Sequence, residues 1–195
     1  MLFKARRFPL LLFAILLGLG GSAAAQYPLP LNRDQPTTGP AQIREIVANY
    51  CRLDYEGARL DAQGWTKLEP VLWSKPGSDY MQMDVVARYT VDEPVEDHGH
   101  YSVTVHYLML GRYDLATGYS RELARSTLDV EFGVSSNNGE WKIGHIDPDY
   151  PHVSGPTLVK WLNAKLAKEQ DQASRQHMTD ALKKLQPPPA APPAQ

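Results

Sequence analysis

Asp79-Tyr80-Met81-Gln82-Met83-Asp84-Val85-Val86-Ala87-Arg88-Tyr89-Thr90-Val91 decides the fold. Met81, Met83, Val85, Ala87, Tyr89 and Val91 fall on one side, with Gln82, Asp84, Arg88 and Thr90 on the other. A period of two predicts a strand with one buried face. Three similar runs follow. His100 to Gly111 sets Tyr101, Val103, Val105, Tyr107 and Met109 opposite His100, Ser102, Thr104 and His106, while Leu108 and Leu110 imply cover on both sides near its end. Tyr119 to Val134 is in phase through Leu128, Val130, Phe132 and Val134, but Leu123 is out of phase. One extra residue between Ala124 and Thr127 would flip the register, so a bulge is expected there. Glu140 to Asp147 turns Trp141, Ile143 and His145 inward, after an Asn138-Gly139 hairpin signal. The connections Asp92 to Gly99, Asp114 to Gly118 and Ser135 to Gly139 are short, which predicts antiparallel neighbours in meander order.

The chain has 195 residues, one Cys, 16 Pro and a formal net charge of −2. Residues 1–25 read as a secretory signal: Lys4, Arg6 and Arg7 precede an apolar run, and Ala23-Ala24-Ala25 stands before Gln26. That run is shorter than the ~20 residues that span a bilayer, so export without stable membrane insertion is expected, to the periplasm or beyond. Without those three cations the rest carries 17 basic against 22 acidic groups. The acidic excess lies before residue 155, and such a body argues against nucleic acid as partner. Cys51 has no internal disulfide partner, so the core alone must stabilise the fold.

Gln26 to Pro40 lacks periodicity and reads as a leader loop. Pro40 suits the first turn of a helix running to about Leu60, with Ile43, Ile46, Val47, Tyr50, Leu53, Gly57 and Ala58 as its apolar stripe. Asp54 sits on or beside that stripe. A short second helix, Trp65 to Leu72, follows a break at Gly64 and is limited by Pro70. Pro148 to Gly155 reads as a loop. Ser154 then caps a long C-terminal helix over residues 154–186, with apolar groups at Leu158, Val159, Leu162 and Leu166 and again at Met178, Ala181, Leu182 and Leu185. Either it projects from the body or it bends and returns. Residues 187–195 are nearly all Pro and Ala, a solvated tail. The expected class is α+β: a curved antiparallel sheet of four or more strands covered by N-terminal helices.

The helix Ile43 to Leu60, Gly64-Trp65 with Leu68, and the last strand Gly139-Glu140-Trp141-Lys142-Ile143 resemble the nuclear transport factor 2-like superfamily over roughly Ala41 to Asp147, within an α+β domain of residues 41–153. The resemblance implies a sheet closed by helices into a cone whose open end holds a small ligand. Some members of that superfamily are isomerases, dehydratases or cyclases, and many only bind or dimerise, so the fold does not choose between them. The C-terminal helix and Pro-rich tail depart from its usual plan.

Asp54 and His145 form the candidate acid/base pair, because a carboxylate orienting an imidazole in an apolar pocket can move a proton. Tyr50, Tyr80, Tyr89, Tyr107 and Trp141 are the candidate cavity lining, or core with wet tips. His145 to His152 holds ligand-type residues, but strand alternation separates them, and no metal site or cofactor is expected. Asp92, Glu93, Glu96, Asp97, His98 and His100 read as a solvated turn whose histidines pair with acids at low pH. Cys51 reads as a packed thiol. No phosphate loop, nucleophile elbow or CxxC motif occurs. The leading expectation is an exported small-ligand-binding or interaction module without catalysis, taking a small apolar ligand or a second copy through its sheet or C-terminal helix. The alternatives are a cofactor-free isomerase or dehydratase using Asp54 and His145, and an envelope assembly protein docking a partner through its C-terminal helix and tail.

Overall fold

The computed structural model describes residues 39–75, 81–121 and 123–185. The leader, the signal stretch and the Pro/Ala tail therefore lie outside the described residues, apart from Gly39 and Pro40.

Helix α1 (Pro40–Tyr55) starts with Pro in its first turn and buries Ile43, Val47, Tyr50, Cys51, Leu53 and Asp54. It stops earlier than its apolar pattern suggests. Gly57 adopts φ 89°, a left-handed conformation that glycine reaches without a Cβ penalty, and a 3₁₀ turn (Ala58–Leu60) follows. Helix α2 (Ala62–Leu68) is capped by Asp61, which accepts from the Gly64 amide at 2.6 Å. Gly64 is therefore inside the helix, not a break before it. A Cβ there would stand 2.2 Å from the Ala58 carbonyl oxygen, so glycine allows the two segments to touch.

Among the described residues seven strands follow: β1 (Gln82–Val91), β2 (Val95–Asp97), β3 (His100–Asp114), β4 (Gly118–Ser120), β5 (Thr127–Asn137), β6 (Glu140–Asp147) and β7 (His152–Ser154). The sheet runs β6-β5-β3-β1-β7, with β2 and β4 also on β3. The expected meander neighbours are present, but the sheet is mixed. β7 pairs parallel with Asp84 to Val86 of β1, where the sequence reads as a loop. Only residues 148–151 join β6 to β7, on opposite edges. A flat sheet would set those edges about 19 Å apart, more than the ~17 Å that five Cα steps reach. The sheet is strongly curled into a half-barrel, which brings the edges together.

Irregularities redirect the faces. Register shifts flank Val86 in the pairing of β1 with β3. Met83 and Val85 thus pack outside with Tyr113 and Tyr119, whereas Val86, Tyr89 and Val91 join the inner core with Val103, Val105, Tyr107 and Phe132. One uninterrupted alternation along this strand is therefore corrected to two half-strands of opposite phase, and Met81 is exposed. Between Ala124 and Thr127 the expected single-residue bulge is larger. Ser120 pairs with Arg112 and Thr127 with Leu108, seven steps against four, and the excess turns through Leu123 to Arg125 with Arg125 at φ 69°. Leu110 is exposed rather than covered on both sides.

The C-terminal segment is two helices, α3 (Gly155–Leu166) and α4 (Gln172–Leu185), not one. Ser154 caps α3 as expected, accepting from the Thr157 amide. At the turn between them Glu169 accepts from the Gln170 and Asp171 amides, and Asp171 from that of Ser174. α4 folds back so that Met178, Ala181, Leu182 and Leu185 join Leu158, Leu162, Met83 and Tyr113 in a second core outside the sheet. Doubling back covers an apolar face that β1 and β3 would otherwise leave in water.

Candidate functional site

The proposed Asp54–His145 pair does not assemble. A register shift beside Gly133, which pairs with His145 while Val134 pairs with Ile143, turns Ile146 inward and His145 to the exposed face. Asp54 is fully buried and meets a different histidine. The His152 amide donates to Asp54 Oδ2 at 2.9 Å, and His152 Nδ1 lies 3.5 Å from the same oxygen. On its other side His152 Nε2 stands 3.8 Å from Asp84 Oδ2, and Asp84 accepts from Arg112 at 2.6 and 3.1 Å. Tyr107 stacks on the His152 ring at 4.2 Å.

Each partner arrives for a local reason. Asp54 lies on the buried face in the last turn of α1, next in line to Tyr50 at helical spacing. His152 is delivered by β7, whose pairing with β1 sets it opposite Asp84. Asp54, Asp84 and His152 are at most 1% exposed. Buried polar atoms normally find partners, yet Asp54 Oδ1 and both His152 ring nitrogens make no hydrogen bond among the described residues. Two carboxylates thus bracket one imidazole. The segment 148–151 lies across this cluster as a strap. Arg59 holds Asp149 at 2.8 Å and donates to the Tyr150 carbonyl, the Arg112 guanidinium sits 5.5 Å from the centre of the Tyr150 ring, and the Asp84 amide donates to the Pro151 carbonyl.

Of the expected cavity lining, Tyr50 and Tyr107 are buried core, Tyr89 and Trp141 are half-buried, and Tyr80 lies outside the described residues. The Tyr50 hydroxyl accepts from Arg59 at 2.9 Å, and that of Tyr107 donates to Cys51 Sγ at 3.2 Å. Burial, with Asp54 alongside, lifts the Tyr50 hydroxyl well above its ordinary value. Burial does the same to Tyr107, with Cys51 and Asp54 adding to it, and pushes the Cys51 thiol up to about 12. All three stay neutral at physiological pH, and the inside of the half-barrel around them is filled by side chains. Trp141 packs edge-on against Tyr101.

An open site lies elsewhere, in a groove of about 370 Å³ between the C-terminal end of α1 and α3. Leu60, Trp161 and Ala164 give it an apolar floor, and Lys160, Lys165 and Lys168 its rim. A second hollow of about 220 Å³ shares Glu56, Gly57, Asp61 and Lys160 with it and extends to Lys67. Sequence reading missed this groove, Arg59, Asp84 and Arg112. A basic cluster at 160, 165 and 168 was its available signal.

No group of His, Cys, Asp and Glu among the described residues is arranged to hold a metal, and no described helix is long and apolar enough to cross a membrane. Set against protein families, curated proteins and solved structures, the chain matches none of them.

Proposed function

We propose that this chain is an exported module that binds a small ligand, without catalysis, in the groove between α1 and α3. The observation carrying this reading is the division of the molecule. The interior of the curled sheet is occupied by Tyr50, Tyr107, Phe132 and His152, each at most 1% exposed, whereas the groove is open and apolar at its floor. A concave site of this size, mainly apolar with a few polar groups at its edge, is the usual form of a small-molecule site. Export draws on the signal-like residues 1–25, and the likeness to the nuclear transport factor 2-like superfamily agrees with a binding role while moving the pocket out of the cone. Titration with N-phenyl-1-naphthylamine, a neutral apolar fluorophore, tests it through energy transfer from Trp161. Saturable binding that disappears in Ala164→Trp, which fills the groove, is expected. Binding that does not saturate would end this reading.

A second reading, acid/base catalysis, draws on the unpartnered Asp54 and His152 atoms. It requires the 148–151 strap to open, and hydrogen exchange at the His152 amide far faster than global unfolding would support it. Docking of a partner through the C-terminal helix draws less support, because Met178 and Ala181 are buried against the body.

A further inference from the structure

We infer that the groove selects an amphipathic monoanion: an apolar body on Leu60, Trp161 and Ala164, with one carboxylate or sulfonate head held by Lys160 and Lys168. This rests on the binding reading above and adds the ligand's charge. The groove carries positive charge in excess. The two acids at the groove are already engaged. Glu56 accepts from Arg52 through both oxygens at 3.1 Å, and Asp61 turns one oxygen to the Gly64 amide as the cap of α2 while keeping its charge, so three lysines stand against one carboxylate without an ion-pair partner. The lysines are not matched in this way. The Lys160 and Lys168 ammonium groups form no ion pair or hydrogen bond among the described residues, and that of Lys165 lies 5.4 Å from the Trp161 ring centre. The result is a positive rim over an apolar floor on a chain whose net charge is negative.

Physical chemistry then fixes the ligand class. An apolar molecule of neutral charge would gain only the floor. A cation would meet three ammonium groups at the rim. A multiply charged anion, such as a nucleotide, would meet the lysines only as point charges, without the arginine fork that gives phosphate its bidentate recognition. A single anionic head on an apolar body uses both parts, with the lysine stems lying along the apolar surface while their ends reach the head.

The test compares two probes of the same arylnaphthylamine body on the purified exported chain: N-phenyl-1-naphthylamine, which is neutral, and 8-anilinonaphthalene-1-sulfonate, which adds one anionic head. The sulfonate is expected to bind more tightly. Lys160→Gln with Lys168→Gln should weaken it about tenfold, from roughly threefold per exposed charge pair, and leave the neutral probe unchanged. Raising the salt should act on the sulfonate alone. Equal affinity for both probes, untouched by the lysine changes, overturns this inference while leaving the binding reading in place. If neither probe saturates, or if both bind undiminished to Ala164→Trp, the groove itself is not the site and both conclusions fall.

Discussion

Replacing Asp54 tests whether the buried cluster holds the half-barrel together. The carboxylate is fully buried and accepts from the His152 amide at 2.9 Å, so it anchors the start of β7 to the end of α1. Asp54→Ala removes the acceptor, leaves a buried N–H without a partner, and leaves Asp84 alone beside the imidazole. A hydrogen bond to a charged group contributes about 1.5–3 kcal/mol, and an orphaned buried donor costs about 1–3 kcal/mol. His152 Nδ1 is 3.5 Å away, too far for a full hydrogen bond, so the loss falls on the amide contact, at the upper end of that range, about 3 kcal/mol. Asp54→Asn keeps an oxygen for the amide and gives up only the charge, so about 1 kcal/mol is expected. Urea unfolding followed by tryptophan fluorescence separates them, with an unchanged slope and a midpoint lower by about 1.5 M for the alanine variant at a slope near 2 kcal/mol/M. An alanine variant within about 0.5 kcal/mol of the parent, the range of ordinary surface changes, would refute the reasoning. If Asp54→Asn instead raised stability, the carboxylate would be held against the folding preference. Groups kept for chemistry behave in that way, and acid/base catalysis would gain.

Two further outcomes are expected. His106 faces Asp129 at 2.6 Å and Asp92 at 2.9 Å, and these hydrogen bonds raise its pKa above 6.5. Since the raised value belongs to the folded state, the contribution to stability is complete below about pH 6.5, the ordinary value, and is lost as pH rises through the native one; a native ring titrating at or below 6.5 by NMR would contradict this. Cys51, buried and pushed up to about 12, should resist a disulfide-exchange reagent at pH 8 until the chain unfolds, and labelling of the native protein within seconds would show the core around α1 to be open.

The sheet was legible because alternation along β3 keeps one phase from Val103 to Met109: Val103, Val105 and Tyr107 face one core and pair in register with Phe132, Val130 and Leu128 of β5. The site was not, because it depends on steps of one residue. The shift beside Gly133 exchanges His145 for Ile146 on the inner face, and the shifts around Val86 give β1 two buried faces. Periodicity carries no mark of an inserted residue until the partner strand is known. The parallel partner β7 was hidden for a different reason: three residues after a proline-rich connection have too little pattern to read as a strand.

The last turn of α1 serves both candidate sites. Asp54 turns inward to His152, the Tyr55 carbonyl accepts from the Thr157 hydroxyl at 3.1 Å, and Glu56 and Gly57 line the groove. Thr157 also lines it, and belongs to the capped first turn of α3, directly after β7. A ligand pressing on Gly57 and Thr157 therefore pushes on the two ends of the Asp54–His152 contact, since Gly57 follows closely on Asp54 and Thr157 is joined to His152 through β7. Rigid close-packed elements transmit such a displacement rather than absorb it. Groove occupancy and the exchange rate of the His152 amide should accordingly change together, and independence of the two would show that α1 and α3 share a border without sharing a load.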